Sequence, residues 1–180
     1  MTVIIGLEQD DKVYIGGDGV ASAGSLTNKI TNPKVFIKKP MIIGFCHSLR
    51  MGQLLRYSLK IPPHPHGKDA FDYLTTNFIS AVQSVLAKNG FFDLDPAKIM
   101  SCFPFLVGYR GKIYEVNGDF GFIKYEKKYC AIGAGTELAL GSLHSTETLI
   151  KNPEKRIIMA LEAASSFEAS VGPPFTIVKL

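Results

Sequence analysis

After Met1 the chain reads TVIIGLEQDDKVYIGGDGVASAGSLTNKITNPKVFIKKPMIIGFCHS over residues 2–48, and this stretch decides the fold. Residues 2–7 are apolar and rich in β-branched side chains, and 12–17 alternate around Val13 and Ile15. The polar segment 8–11 between them reads as the turn of a hairpin. Residues 35–38 and 41–45 read as a second strand pair, interrupted by Pro40. Four short strands before residue 46 make a β-rich beginning.

Two helices are expected next. Residues 49–59 put Met51, Leu54, Leu55 and Leu59 on one side, and Pro62, Pro63 and Pro65 end the run, since proline lacks a donor and clashes with the preceding turn. Residues 69–89 carry Phe71, Leu74, Phe78, Val82, Val85 and Leu86 at helical spacing, with Gly90 just beyond. Strands are expected again at 103–109, 112–116, 121–125 and 129–132, with Arg110-Gly111 and Asn117-Gly118 as tight turns. Gly133-Ala134-Gly135-Thr136 closes a strand and opens a third helix. Asn152-Pro153 precedes a fourth over about 154–169, and 175–179 form a last strand. Runs of strands followed by runs of helices argue for an α+β fold, with two antiparallel sheets stacked between two helical layers.

A length of 180 residues suits a single domain, 1–180, with a sizeable core. Hydrophobic residues make up 46% and charged residues 20%, and no apolar stretch is long enough to span a bilayer. The acidic segment 8–11 interrupts the N-terminal apolar run, so no targeting segment is read. The net charge of +4 is spread among acidic residues, which argues against nucleic-acid binding. Cys46, Cys102 and Cys130 are odd in number and widely spaced, which points to reduced thiols and a cytoplasmic location.

Three polar residues in the β-rich beginning combine into chemistry. Removal of Met1, efficient before a small residue, would leave Thr2 with an α-amine beside its hydroxyl. Such an amine titrates at about 7.7–8.0 and can act as a base near neutral pH. Lys34 would lower the cost of the developing alkoxide, and Asp18 would keep that lysine charged and in place. Thr2 begins one strand, Asp18 ends its hairpin partner and Lys34 begins the next, so one sheet end can hold all three. Elsewhere, His64 and His66 read as loop residues without metal partners. Cys46 and His47, taken as strand neighbours, would point to opposite faces and not touch.

Thr2-Val3-Ile4, Gly16-Gly17-Asp18-Gly19, Ala21-Ser22-Ala23-Gly24, Pro33-Lys34-Val35 and Ile42-Ile43-Gly44-Phe45 resemble the first third of a proteasome β-subunit or of the HslV peptidase. Ala131-Ile132-Gly133-Ala134-Gly135 is similar to the family's Gly-Ser-Gly turn, and the order of elements fits to the C-terminus. The resemblance implies an N-terminal nucleophile (Ntn) hydrolase: a threonine peptidase that cleaves peptides or unfolded polypeptides without a cofactor or metal. It also implies a homo-oligomeric ring and leaves room for an ATP-dependent unfoldase partner. By position it assigns Ala21, Ser22 and Ala23 to the strand that substrates extend, and Asn32, Cys46 and Arg50 to a side-chain pocket. The Ser48 amide becomes the oxyanion donor, and Glu168 supports the site from behind.

The chain departs from that pattern at four places. Ala134 stands where serine is usual, Glu168 and Val171 where an aspartate and a serine are usual, and His47-Ser48 where two glycines are usual. Two alternatives therefore stay open: a catalytically silent structural or binding subunit, and an Ntn amidase for small molecules.

Overall fold

The computed structural model describes residues 2–23, 26–91 and 102–180; Met1 and Gly24, both named above, lie outside the described residues. The first hairpin joins β1 (Val3–Gln9) and β2 (Lys12–Gly17) in antiparallel register, with Gln9 opposite Lys12. Its turn is only Asp10-Asp11, with φ of 52° and 56°, the left-handed pair that a two-residue hairpin with right-twisted strands requires. A ribbon of β3 (Val20–Ala23) and β4 (Leu26–Lys29) follows, giving six strands before residue 46 where four were expected.

The second pair is β5 (Val35–Lys38) and β6 (Met41–Phe45), extended by β7 (Phe105–Tyr109), β8 (Lys112–Val116) and β9 (Phe122–Ile123) into a five-stranded antiparallel sheet in chain order. Arg110 and Gly111, at φ 49° and 73°, form the tight turn read from sequence. Asn117-Gly118 also opens a tight turn, closed by the Phe120 amide on the Asn117 carbonyl at 3.0 Å. It lies within a loop that the Asn117 amide closes on the Gly121 carbonyl at 2.8 Å and in which Phe120 is the left-handed residue. The other sheet runs β10–β1–β2–β11, with β10 (Tyr129–Gly133) and β11 (Thr176–Lys179) at its edges.

Helices cover both outer faces. The first run is α1 (Leu49–Gln53), capped by the Ser48 hydroxyl on the Met51 amide and continued by a π-helical turn, Leu54–Ser58. The second is α2 (Ala70–Tyr73), a π-helical turn Leu74–Phe78, and α3 (Ile79–Lys88), with Asp69 as N-cap. On the other side lie α4 (Thr136–Ser145) and α5 (Pro153–Phe167), the latter capped by Asn152 with proline at its first position. Among the described residues no helix is long and apolar enough to cross a membrane.

Three apolar clusters correspond to the three interlayer spaces. Met51, Tyr73, Phe78 and Phe105 pack between the first helices and the five-stranded sheet. Val3, Ile5, Leu143, Ile157 and Leu161 pack between the four-stranded sheet and α4–α5. Ile4, Ile15, Ile42 and Leu106 fill the space between the sheets. Alternation along β1 explains the division, since Ile4 faces the other sheet while Val3 and Ile5 face the helices. The sheets approach closely at Gly44, where a Cβ would come within 2.6 Å of Ile4 and 2.8 Å of Ile15. The result is a four-layer α-β-β-α sandwich.

Candidate active site

The β1–β2 register ends with Ile4 opposite Gly17, and just beyond it the Asp18 amide donates to the Val3 carbonyl at 3.3 Å, so Thr2 and Asp18 emerge at one sheet end. Lys34 reaches the same place from the start of β5, held by the Phe45 amide on its carbonyl at 3.0 Å. The Lys34 Nζ donates to Thr2 Oγ1 at 2.7 Å and to both Asp18 carboxylate oxygens at 2.9 Å. The Val3 and Val20 amides donate to the same carboxylate at 3.0 and 3.2 Å. Thr2, Asp18 and Lys34 are all buried, at 4%, 1% and 3% exposure.

Burial pushes the Asp18 carboxyl up from its ordinary range and draws the Lys34 ammonium down, while their pairing opposes both shifts. The cluster is thus a desolvated ion pair with one hydroxyl as the remaining partner of the cation.

A cavity of about 70 Å³ opens onto this cluster, lined among others by Thr2, Ala21, Ser22, Lys34, His47 and Leu49. Ala21 and Ser22 are therefore beside the hydroxyl, whereas Ala23 continues the ribbon opposite Leu26. Asn32 lines a separate cavity of about 40 Å³ with Phe45, Gly52, Arg56 and Tyr57, and Leu49 forms a wall of both. Arg50 is exposed and lines neither. A larger recess, about 560 Å³, runs along β10 past Glu115, Tyr125 and Cys130, but the Thr2 cluster does not line it. The chemistry directs attention to the smaller cavity.

The expectation for Cys46 and His47 is corrected. The strand ends at Phe45, and His47 sits at φ 64°, which folds its ring back so that Nδ1 lies 2.9 Å from Cys46 Sγ. Cys46 is buried at 1% exposure, and its thiol is pushed up to about 12 by burial, so it is no nucleophile. The same turn brings the Ser48 amide to the Cys46 carbonyl at 2.8 Å, a three-residue γ-turn centred on His47. The Ser48 N–H is thus engaged within its own loop.

Glu168 caps the end of α5 and accepts from the Ser170 hydroxyl at 2.6 Å and the Ser170 amide at 3.1 Å. It makes no hydrogen bond to Thr2, Asp18 or Lys34 among the described residues. Those two bonds hold its carboxyl below the usual range of about 4.5, so its contribution is present above that pH and lost as pH falls through the depressed folded value. Thermal melts of Glu168→Gln and the parent should accordingly differ most near neutral pH and converge on acidification.

At the turn after β10, the Thr136 hydroxyl donates to the Gly133 carbonyl at 2.6 Å and so is not turned to Thr2. His64 is no loose loop residue: its ring nitrogens meet the Lys68 carbonyl at 2.7 Å and the Tyr109 hydroxyl at 2.9 Å. No group of three His, Cys, Asp or Glu able to hold a metal occurs among the described residues. Sequence reading missed His47 as a residue lining the Thr2 cavity. A non-glycine residue where the resemblance calls for glycine was the signal for it.

The chain is similar over its whole length to BPH from Thiobacillus denitrificans, solved in complex with epoxomicin, with a TM-score of 0.83 at 15% identity, covering 99% of this chain and 97% of that one. It is similar to eukaryotic HslV from Trypanosoma brucei, with a TM-score of 0.69 at 17% identity and coverages of 99% and 98%. It is also similar to the Anbu complex from Pseudomonas aeruginosa, solved as a helical assembly, with a TM-score of 0.67 at 15% identity and coverages of 99% and 80%. The four-layer sandwich described above is the Ntn-hydrolase fold that these proteins share. At these identities the likeness establishes the fold alone. No protein-family model and no curated protein matches the sequence.

Proposed function

We propose that this chain is a threonine-type peptidase that hydrolyses amide bonds with Thr2 as nucleophile, once Met1 has been removed. The observation that carries the reading is the 2.7 Å bond from Lys34 Nζ to Thr2 Oγ1, with the same ammonium clamped by Asp18. A threonine hydroxyl is a weak nucleophile, and a buried ammonium beside it stabilises the alkoxide that forms as the proton leaves. The freed α-amine of Thr2 takes that proton, and Oγ1 attacks the carbonyl to give an ester that water then hydrolyses. An extended peptide adds to the open edge of β3 through its main chain, beside Ala21 and Ser22. The Ser48 amide serves the oxyanion after exchanging its bond to Cys46, and Glu168 supports the site from behind, at the end of α5. The proposal extends to a homo-oligomeric ring in the cytoplasm that takes unfolded polypeptide; the helical assembly of the similar Anbu complex supports the oligomeric part.

One observation favours a second reading, a catalytically silent subunit: the Ser48 amide, the oxyanion donor the resemblance assigns, is already bonded to the Cys46 carbonyl. Incubation with epoxomicin, the compound seen on BPH, followed by intact-mass and peptide analysis separates the two. A peptidase loses Met1 and gains one inhibitor mass on residue 2. Quantitative retention of Met1 with no adduct supports the silent subunit instead.

A further inference from the structure

Besides Lys34, whose ammonium is committed to Asp18 and Thr2, the side chains lining the Thr2 cavity include one imidazole, His47. Its ring is fixed from two sides. Nδ1 lies 2.9 Å from Cys46 Sγ, and the ring stacks on Phe103 with centroids 5.5 Å apart and planes 5° from parallel. Cys46 Sγ also lies 3.3 Å from the Pro104 carbonyl, which can only accept. A neutral thiol has one proton, and burial keeps it on the sulfur. Both contacts are filled by one assignment: S–H donates to Pro104, and His47 Nδ1–H donates to the sulfur. The neutral ring then carries its lone pair on Nε2, which has no hydrogen-bond partner among the described residues.

We propose that His47 Nε2 is a second proton acceptor for the Thr2 hydroxyl, acting through one water in the cavity and positioned by the Cys46 thiol. This rests on the hydrolase reading above. Thr2 and His47 line the same cavity of about 70 Å³, which has room for water between hydroxyl and imidazole, and His47 reaches it from the exposed rim. In the step, the Thr2 O–H bond breaks and its proton passes through the water to Nε2. Oγ1 bonds to the substrate carbonyl carbon, and the carbonyl π pair moves to oxygen. When the pair returns and the C–N bond breaks, the imidazolium delivers the same proton, again through water, to the departing amine. The relay gives the site a base that is present whether or not the Thr2 nitrogen has been freed.

The test compares peptide hydrolysis and epoxomicin labelling by the parent, Thr2→Ala, His47→Gln and His47→Gly. Both His47 variants should lose about ten- to a hundredfold in kcat with KM little changed. Added imidazole should restore part of the rate to His47→Gly, which leaves the ring's space empty, and none to His47→Gln. His47→Gly relieves the positive φ but loses the ring's contacts to Phe103 and Cys46, so its melting temperature is measured beside the rates. A folded variant with a lowered, imidazole-rescued rate separates the relay from misfolding. Parental rates in both variants, with Thr2→Ala inactive, overturn this proposal alone. A drop in His47→Gly that imidazole does not rescue also overturns it, by reducing His47 to a structural role. An active Thr2→Ala, or a parent that neither hydrolyses nor labels, overturns the peptidase reading as well.

Discussion

Thr2→Ala and Lys34→Met are both expected to lose peptide hydrolysis, yet to differ sharply in stability. The threonine variant removes the attacking oxygen and should fall to background. Among the described residues the Thr2 hydroxyl accepts the hydrogen bond from Lys34, which the variant loses, while the ammonium keeps both bonds to Asp18. Its cost is about 0.5–1.5 kcal/mol. The lysine variant keeps the nucleophile but removes the cation that steadies its alkoxide, a loss on the order of 10²–10³-fold. It also strands a carboxylate that is 1% exposed, with only the Val3 and Val20 amides as donors. Breaking a buried pair on one side costs about 3–5 kcal/mol, or roughly 6–20 °C in melting temperature for a chain of this size. Adding Asp18→Asn to Lys34→Met should recover part of that stability and none of the activity. Hydrolysis rates and thermal melts on the four proteins decide the matter. Equal melting of the two single variants would show that the pair does not hold this end of the sheets together.

The layering was legible because each layer writes its own period into the chain. Alternation in 12–17 and helical spacing from Phe71 to Leu86 identify strand and helix without tertiary information. Asp10-Asp11 and Arg110-Gly111 then fix which strands pair. The ribbon of β3 and β4 was not legible as two strands. Leu26 to Lys29 are all exposed, so nothing buried imposes an alternation on them. The π-helical turns at Leu54–Ser58 and Leu74–Phe78 leave no mark either, since they shift the ladder by one residue within an otherwise ordinary apolar face. In the site, Thr2, Asp18 and Lys34 stand at strand ends, where pairing alone brings them close. His47 was misread because strand geometry was extended one turn too far. Whether a side chain beyond a strand folds back depends on a single φ, and no residue pattern in 41–48 announces it.

Gly133→Ala is expected to damage the site from behind, without touching a polar side chain. Gly133 ends β10 opposite Val3, at φ 99°, where an L-residue is strained. A Cβ there would lie 2.2 Å from the Thr2 carbonyl oxygen and 2.9 Å from its carbon. Both are backbone atoms of the first described residue, so the clash is relieved only by moving Thr2 or the end of β10. Backbone strain alone costs about 1–3 kcal/mol, and a displacement near 1 Å of a reacting group can cost about a hundredfold in rate. Gly141→Ala supplies the contrast, since it lies within α4 with nothing inside 4 Å of its Cβ and should stabilise by about 0.5–1 kcal/mol at parental activity. Peptide hydrolysis with melting curves for the two alanine variants reads both effects. If Gly133→Ala lowers stability but leaves the rate untouched, β10 is not what sets the position of Thr2, and the placement of the nucleophile must come from β2 and the Lys34–Asp18 pair alone.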